Sequence, residues 1–342
     1  MNISPIVSVC VASYNHARFL PAMLDGILSQ TFHDFEIVAV DDGSTDNSLE
    51  VLQGYADRNP EIMRVYTHPG ARNLGISATL NLGFEKSRGK YWCPHASDDI
   101  SCPDRLERQV AFLESHPAVG WVYGIAELID DNGAPIGRQF GSDLSSCADL
   151  VETFIWSNPI VAPTTMIRRD CALRVGPFDE AVLYSDWEYW IRLAAHYSPA
   201  FIPEPVIKYR VHEGNTSLGI PRKRQLDRNF QILKAARQKA ESTGGLLARP
   251  RTKAQLDFCK ASLCFQNGDF ESGRREVRSM FESDPTLRFN PKPMAEWLWR
   301  QRGRRLALAV VQEFGSPPRW AANMSFVSTL LHIFFRRPLR RT

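Results

Sequence analysis

The chain has no cysteine pair spaced as CxxC and no basic leader running into an apolar core near residue 1. It also has no apolar run approaching the roughly 18–20 residues that a membrane-spanning helix needs. Each absence excludes something. Seven cysteines, at 10, 93, 102, 147, 171, 259 and 264, are odd in number and scattered. That argues against a disulfide framework or a thiolate zinc site and fits reduced thiols in a cytoplasmic protein. No secretory leader is expected from MNISPIVSVC. A phosphate loop of the P-loop or GxGxxG kind is missing too, so a bound nucleotide needs another way to neutralise its phosphates.

What is present is ordinary in bulk and uneven in distribution. A hydrophobic content of 44% and a charged content of 23% fit a soluble globular protein of 342 residues, enough for one large domain and a smaller one. Net charge is +3, but residues 1–220 hold 28 Asp/Glu against 16 Lys/Arg, and residues 221–342 hold 10 against 25. Two domains are therefore expected, 1–220 and a basic 221–342, parting near Gly219-Ile-Pro-Arg-Lys-Arg224. The basic part carries no nucleic-acid recognition motif, and no such partner is expected.

Strand and helix patterns alternate through the first part. Strands are read at Ile6–Ala12, Phe35–Val40, Met63–Thr67 and Lys90–Pro94. Helices are read from Phe19 to Leu28, Ser48 to about Arg58, Ile76 to Ser87 and Arg105 to Ser115. The rhythm predicts an α/β domain with a mostly parallel sheet covered by helices on both faces. Val119–Ile129 then runs into Asp130-Asp-Asn-Gly133, a hairpin turn. Residues 134–180 read as mixed and loop-rich, Asp186–Tyr197 as a helix and Val206–Val211 as a late strand.

In such sheets ligands bind at the carboxyl ends of the strands. Ser13–His16, Asp41–Asp46 and Ser97–Asp99 each begin where a predicted strand ends, so three polar segments should meet on one edge. Neighbouring acids repel and resist burial, which makes Asp41-Asp42 and Asp98-Asp99 unusual unless a cation is held between them. A nucleotide diphosphate and a divalent ion such as Mg2+ or Mn2+ would complete such a site, because these ions take oxygen ligands and need only one or two carboxylates.

At this point an ordered series of elements resembles the inverting glycosyltransferases of family 2, which have the GT-A fold. The series runs from Ser13-Tyr14-Asn15 and Gln30-Thr31-Phe32 through Glu36 and Val40-Asp-Asp-Gly-Ser-Thr-Asp46. It continues through Asn73-Leu-Gly75, Asn81-Leu-Gly83, Gly89-Lys-Tyr91 and Ser97-Asp98-Asp99. It then reaches SNPIVAPTTMIRRDCALRVGPFDE, YSDWEYWIRL and YRVHEGNTS. The resemblance covers about the first 215 residues and implies roles. Asp41 contacts the base, with Asp42 at the pocket edge, and Ala12, Ser13, Tyr14 and Asn73 lie along the nucleotide. Asp98 and Asp99 hold the metal, Asp186 is the general base, and Tyr209, Arg210 and His212 close over the diphosphate. The implied reaction moves a sugar from a nucleotide-diphosphate sugar to a glycan or lipid-linked glycan, as in cell-surface polysaccharide synthesis.

Two departures stand out. The family's DxDD has an acid where this chain has Ala96, and its acid-acid pair at the base position is Ser185-Asp186 here. Ala96 keeps open an alternative, a catalytically silent GT-A domain serving as a binding or scaffold module. A sugar-nucleotide pyrophosphorylase is disfavoured, since no early glycine-rich basic loop is present.

Other side chains read as structural: Ser44 and Asp46 in the turn, the latter as a helix N-cap, His95 as packed, and Trp187 and Trp190 as core. Trp156 is a candidate for acceptor contact. Beyond residue 225 the pattern is helical, with a helix pair around Asn267-Gly268-Asp269 that reads either as one tetratricopeptide-type hairpin or as a small appendage. Phe326–Phe335 followed by four arginines reads either as a peripheral contact with an anionic membrane, at its inner face, or as a docked last helix.

Overall fold

The computed structural model describes residues 4–145, 147, 150, 153–154, 158–182 and 185–215, and then 253–254, 257–258, 260–261, 264 and 269–284. The chain divides into two compact units, Met1–Gly219 and Ile220–Thr342.

The first unit is built on a nine-stranded mixed sheet. Strands β1 (Val7–Ser13), β2 (Phe35–Asp41), β3 (Met63–Thr67) and β4 (Tyr91–Ala96) run parallel in the order β3-β2-β1-β4. Helices α1 (Leu20–Leu28), α2 (Ser48–Arg58) and α3 (Ile76–Lys86) connect them. β1 and β2 are buried along their whole length, as the unbroken apolar runs require. Alternate residues serve opposite faces. Val7, Val9, Val11, Ile37 and Ala39 pack with Leu20, Met23, Leu24 and Leu52 of α1 and α2. On the other face α3 approaches so closely that a Cβ on Gly83 would lie 2.1 Å from Cys10 Sγ, which is why the Asn81-Leu-Gly83 element ends in glycine.

After β4 the sheet changes direction. It continues through β8 (Met166–Arg168), antiparallel to both β4 and β6 (Trp121–Ile129), then β9 (Pro199–Arg210), parallel to β6, and ends at β5 (Ile100–Ser101). The predicted hairpin forms: β7 (Pro135–Phe140) pairs with β6 across a turn closed by Asp130 N donating to Ala134 O at 2.8 Å. Helices α4 (Arg105–Ser115), α5 (Arg169–Val175) and α6 (Ser185–His196) complete the unit. Trp187 and Trp190 are core residues, Trp190 stacking on Trp121 at 5.3 Å.

β9 begins seven residues before the predicted late strand. Pro199 is its first residue, and its prolines at 203 and 205 fall where the ladder with β6 shifts register between Gly124 and Ala126, irregular pairing that tolerates them.

In the second unit α7 (Phe270–Ser283) is capped by Asp269, whose side chain accepts from Ser272 N at 3.0 Å. Asp257 in the preceding helical segment accepts from Ser279 Oγ at 2.8 Å. No helix among the described residues is long and apolar enough to cross a membrane. The Phe326–Arg341 segment lies outside the described residues, as does Trp156.

Candidate active site

β1, β2 and β4 end at one level, with Ser13 opposite Asp41 and Ala12 opposite Ala96. The loops that follow are stitched together through Asn15, held at φ +53°. Its side-chain oxygen accepts from Thr45 N at 2.7 Å, and its own N–H donates to Ser44 Oγ. His16 N donates to Ser48 Oγ and Ala17 N to Asp46. Asp46 has the structural role, although the cap position itself is Asn47 and Asp46 accepts from Ser48 N and Oγ beyond it. Ser13 Oγ is buried without a hydrogen-bond partner, and the Tyr14 side chain is exposed.

The first acid pair is bound up by neutral donors. Asp41 accepts from Ser44 N at 2.9 Å and Ser44 Oγ at 2.5 Å. Asp42 accepts from Leu74 N at 2.7 Å with one oxygen and Gly75 N at 2.9 Å with the other. Asp42 therefore shapes the Asn73-Leu74-Gly75 loop that opens α3. Gly43 lets that loop close in, since a Cβ there would sit 2.6 Å from Ala71 O and 2.7 Å from Asn73 N. Asn73 is exposed on this loop.

The second pair splits. Asp99 is fully buried, and its Oδ1 accepts from Arg210 N at 2.8 Å while Oδ2 has no hydrogen-bond partner. Burial first, and the Asp98 charge second, push its carboxyl well above the usual range. Asp98 keeps some exposure, and its Oδ2 meets His212 Nε2 at 3.0 Å and Asn215 Nδ2 at 3.4 Å. His16 joins them: one ligand atom from each of His16, Asp98 and His212 lies within 4.8 Å of the others. Burial pushes the His16 imidazole down, against the opposing pull of Asp98. His16 Nδ1 is 2.8 Å from Ser97 Oγ, and the His16 and His212 rings both contact Phe19, at 5.6 and 4.7 Å.

Arg210, expected over the diphosphate, is bonded to main-chain carbonyls. Its Nε donates to Asp98 O at 2.8 Å and its Nη1 to Asp131 O at 2.9 Å, with the guanidinium 4.9 Å from the Phe19 ring. Here it fixes the turn that carries Asp98. Tyr209 pairs with Leu128 and packs on the core. His95 is packed as expected, between Ala96 O and Ser101 Oγ, and burial with the nearby Arg105 charge lowers it to about 3.

Asp186 lies in the first turn of α6, half-buried, and accepts from Asn158 Nδ2 at 3.1 Å. Ser185 Oγ lies 2.6 Å from Ser77 Oγ, joining the start of α6 to the start of α3 just after the Asp42-held loop. Sequence reasoning assigned no role to His16, Asn158 or Asn215. A histidine directly after a strand-end Ser-Tyr-Asn was the available signal for the first; the others depend on long-range contacts that no spacing reveals.

The family model described as "Glycosyl transferase family 2" matches residues 8–170. An uncharacterized glycosyltransferase of Haemophilus influenzae is 30% identical over 226 residues, 64% of this chain and 69% of its own length. One of Methanocaldococcus jannaschii is 28% identical over 226 residues, 65% and 76% of the two chains. Among solved structures, S. aureus TarS 1-349 in complex with UDP-GlcNAc superposes with a TM-score of 0.61 at 17% identity, covering 81% of each chain. A mannosyltransferase of Pyrobaculum calidifontis in complex with GDP-Man and Mn2+ gives 0.54 at 19% identity, covering 93% of this chain and 89% of its own. At these identities the structural likeness speaks to the fold.

Proposed function

This chain belongs to glycosyl transferase family 2 and is a glycosyltransferase of GT-A fold, and from that premise we propose an inverting, metal-dependent enzyme. It takes a sugar from a nucleotide-diphosphate donor and passes it to a glycan or lipid-linked glycan acceptor in cell-surface polysaccharide synthesis. The observation that carries this reading is the meeting of Asp98, His16 and His212, the first two just past the carboxyl ends of β4 and β1 and the third just past that of β9, with Asp41 at the carboxyl end of the neighbouring β2.

Roles follow from what each group touches. Asp41 faces the nucleotide base beside Ala12, Ser13 and Tyr14, while Asp42 sets the Asn73 loop along its edge. Asp98, with the two imidazoles beside it, is the set that would hold Mn2+ or Mg2+; the three donors lie within 4.8 Å of one another. A dication held there would supply positive charge to offset the charge on the departing diphosphate. Asp99 supports the turn from behind through Arg210 N.

Asp186 takes the proton from the acceptor hydroxyl as the glycosidic bond forms, because an alcohol is a weak nucleophile at neutral pH. The start of α6 favours its ionised form through the helix dipole, and the Asn158 amide orients it. Attack opposite the leaving diphosphate inverts the anomeric centre.

A silent GT-A module is the second reading, and Ala96 is the residue that favours it. The proposal also places the protein in the cytoplasm, with residues 326–341 as a peripheral contact at the inner membrane face. Thermal melting against a panel of UDP- and GDP-sugars with Mn2+ tests the donor class. A true donor at 100 times its dissociation constant adds about 2.7 kcal/mol of stability, whereas a panel without any shift rejects the reading.

A further inference from the structure

The DxDD acid replaced by Ala96 leaves the cation with one carboxylate fewer than the family pattern provides, and two imidazoles, His16 and His212, lie beside the remaining Asp98. We propose that His16, Asp98 and His212 form a cation site that is assembled before any nucleotide sugar arrives, and that it selects Mn2+ and its transition-metal neighbours over Mg2+. The inference rests on reading this site as one that uses a divalent cation.

Three observations support it. Donors about 2.1 Å from a shared ion lie at most about 4.2 Å apart, and these three lie within 4.8 Å, a small side-chain rotation away. Two imidazoles with one carboxylate leave further positions open for diphosphate oxygens, and imidazole nitrogen suits transition ions whereas Mg2+ demands oxygen and keeps its water. Finally, His16 is held from several sides. Ser97 Oγ engages Nδ1, which leaves Nε2 to face a cation, and the outer partner of a ligating histidine commonly has this role. Its loop is fixed by Ser48, Asp46 and the bidentate Arg18–Asp131 pair at 3.0 and 2.8 Å. The Phe19 ring lies against both imidazoles.

His212 is the less comfortable ligand. Its Nδ1 accepts from Gly214 N at 3.2 Å, so an ion on Nε2 shifts the ring proton to Nδ1 and breaks that bond. His16 has no such conflict, which makes it the residue whose loss should be felt most clearly.

The test is Mn2+ titration of the full chain without nucleotide, followed by electron paramagnetic resonance, with Mg2+ and Co2+ as competitors. The expected result is one Mn2+ per chain, displaced more readily by Co2+ and only by Mg2+ at roughly tenfold higher concentration or more. His16→Gln should weaken Mn2+ binding about tenfold or more with an unchanged melting temperature. His16→Asp should move the Mn2+/Mg2+ ratio toward Mg2+, which a merely structural role would not do. Equal Mn2+ binding by His16→Gln, equal competition by Mg2+, or capture of Mn2+ only after UDP or GDP is added would overturn the inference while leaving metal dependence standing. No Mn2+ binding with or without UDP and GDP would overturn both.

Discussion

Strand β2 carries an acid near each end, and the two are handled in opposite ways. Glu36, at the amino end, accepts from Ser8 Oγ at 2.6 Å and Arg88 N at 2.6 Å, and is paired with the guanidinium groups of Arg64 and Arg88. Burial alone would raise its carboxyl, but these bonds and charges hold it below the usual range. Asp41, at the carboxyl end, is held by a serine, and Asp98, just past the end of β4, by imidazole and amide groups. An acid needed only for stability can be neutralised by arginine. An acid that must receive a cation is better held by neutral donors, which leave its charge to the ligand.

That contrast can be broken at either end. The largest expected effect is at the site: Asp186→Asn should lower transfer by about 10²–10⁴-fold with an unchanged melting curve, and near-normal turnover of the purified variant would remove Asp186 as the base. At the other end Glu36→Ala should cost about 1–3 kcal/mol of stability, read by urea unfolding, and leave kcat at permissive temperature intact. A drop in kcat there would show that the two ends are not separable. Asp42→Asn should cost about 1 kcal/mol and raise KM for the donor more than it lowers kcat, because one of the Leu74 and Gly75 amides loses its acceptor.

The smallest effect sharpens the comparison through pH. His95 is neutral when folded, with its pKa lowered from 6.5 to about 3, whereas the unfolded chain takes up a proton near 6.5. Stability is therefore intact above about 6.5 and lost as pH falls from there toward about 3, by about 1 kcal/mol between pH 6.5 and 5.5. Glu36 acts in the same direction but only below its ordinary value of 4.5, and Asp99, raised, acts oppositely. Melting temperatures of wild type and His95→Gln between pH 7.5 and 5.5 separate the first window: the variant should show a flatter acid limb.

Much of the first unit was legible because β1 to β4 and α1 to α4 are long enough to print a period. β5 and β8 are two and three residues long and leave no period, so the antiparallel turn of the sheet after β4 could not be read. At the site, the positions of both acid pairs followed from strand ends. That Asp42 and Asp99 turn to distant backbone amides did not, since Leu74, Gly75 and Arg210 lie 32, 33 and 111 residues away from their acids. Arg210 shows the limit from the other side: a cation near an anion site looks like a ligand contact until its partners are seen to be carbonyls.

Mn2+-dependent release of nucleotide diphosphate, measured with the sugar nucleotide that gives the largest melting shift, tests the site most directly. Turnover should disappear on chelation, return with added Mn2+, and fall about 10²-fold or more in Asp98→Asn. Turnover indifferent both to chelation and to Asp98→Asn would contradict the account.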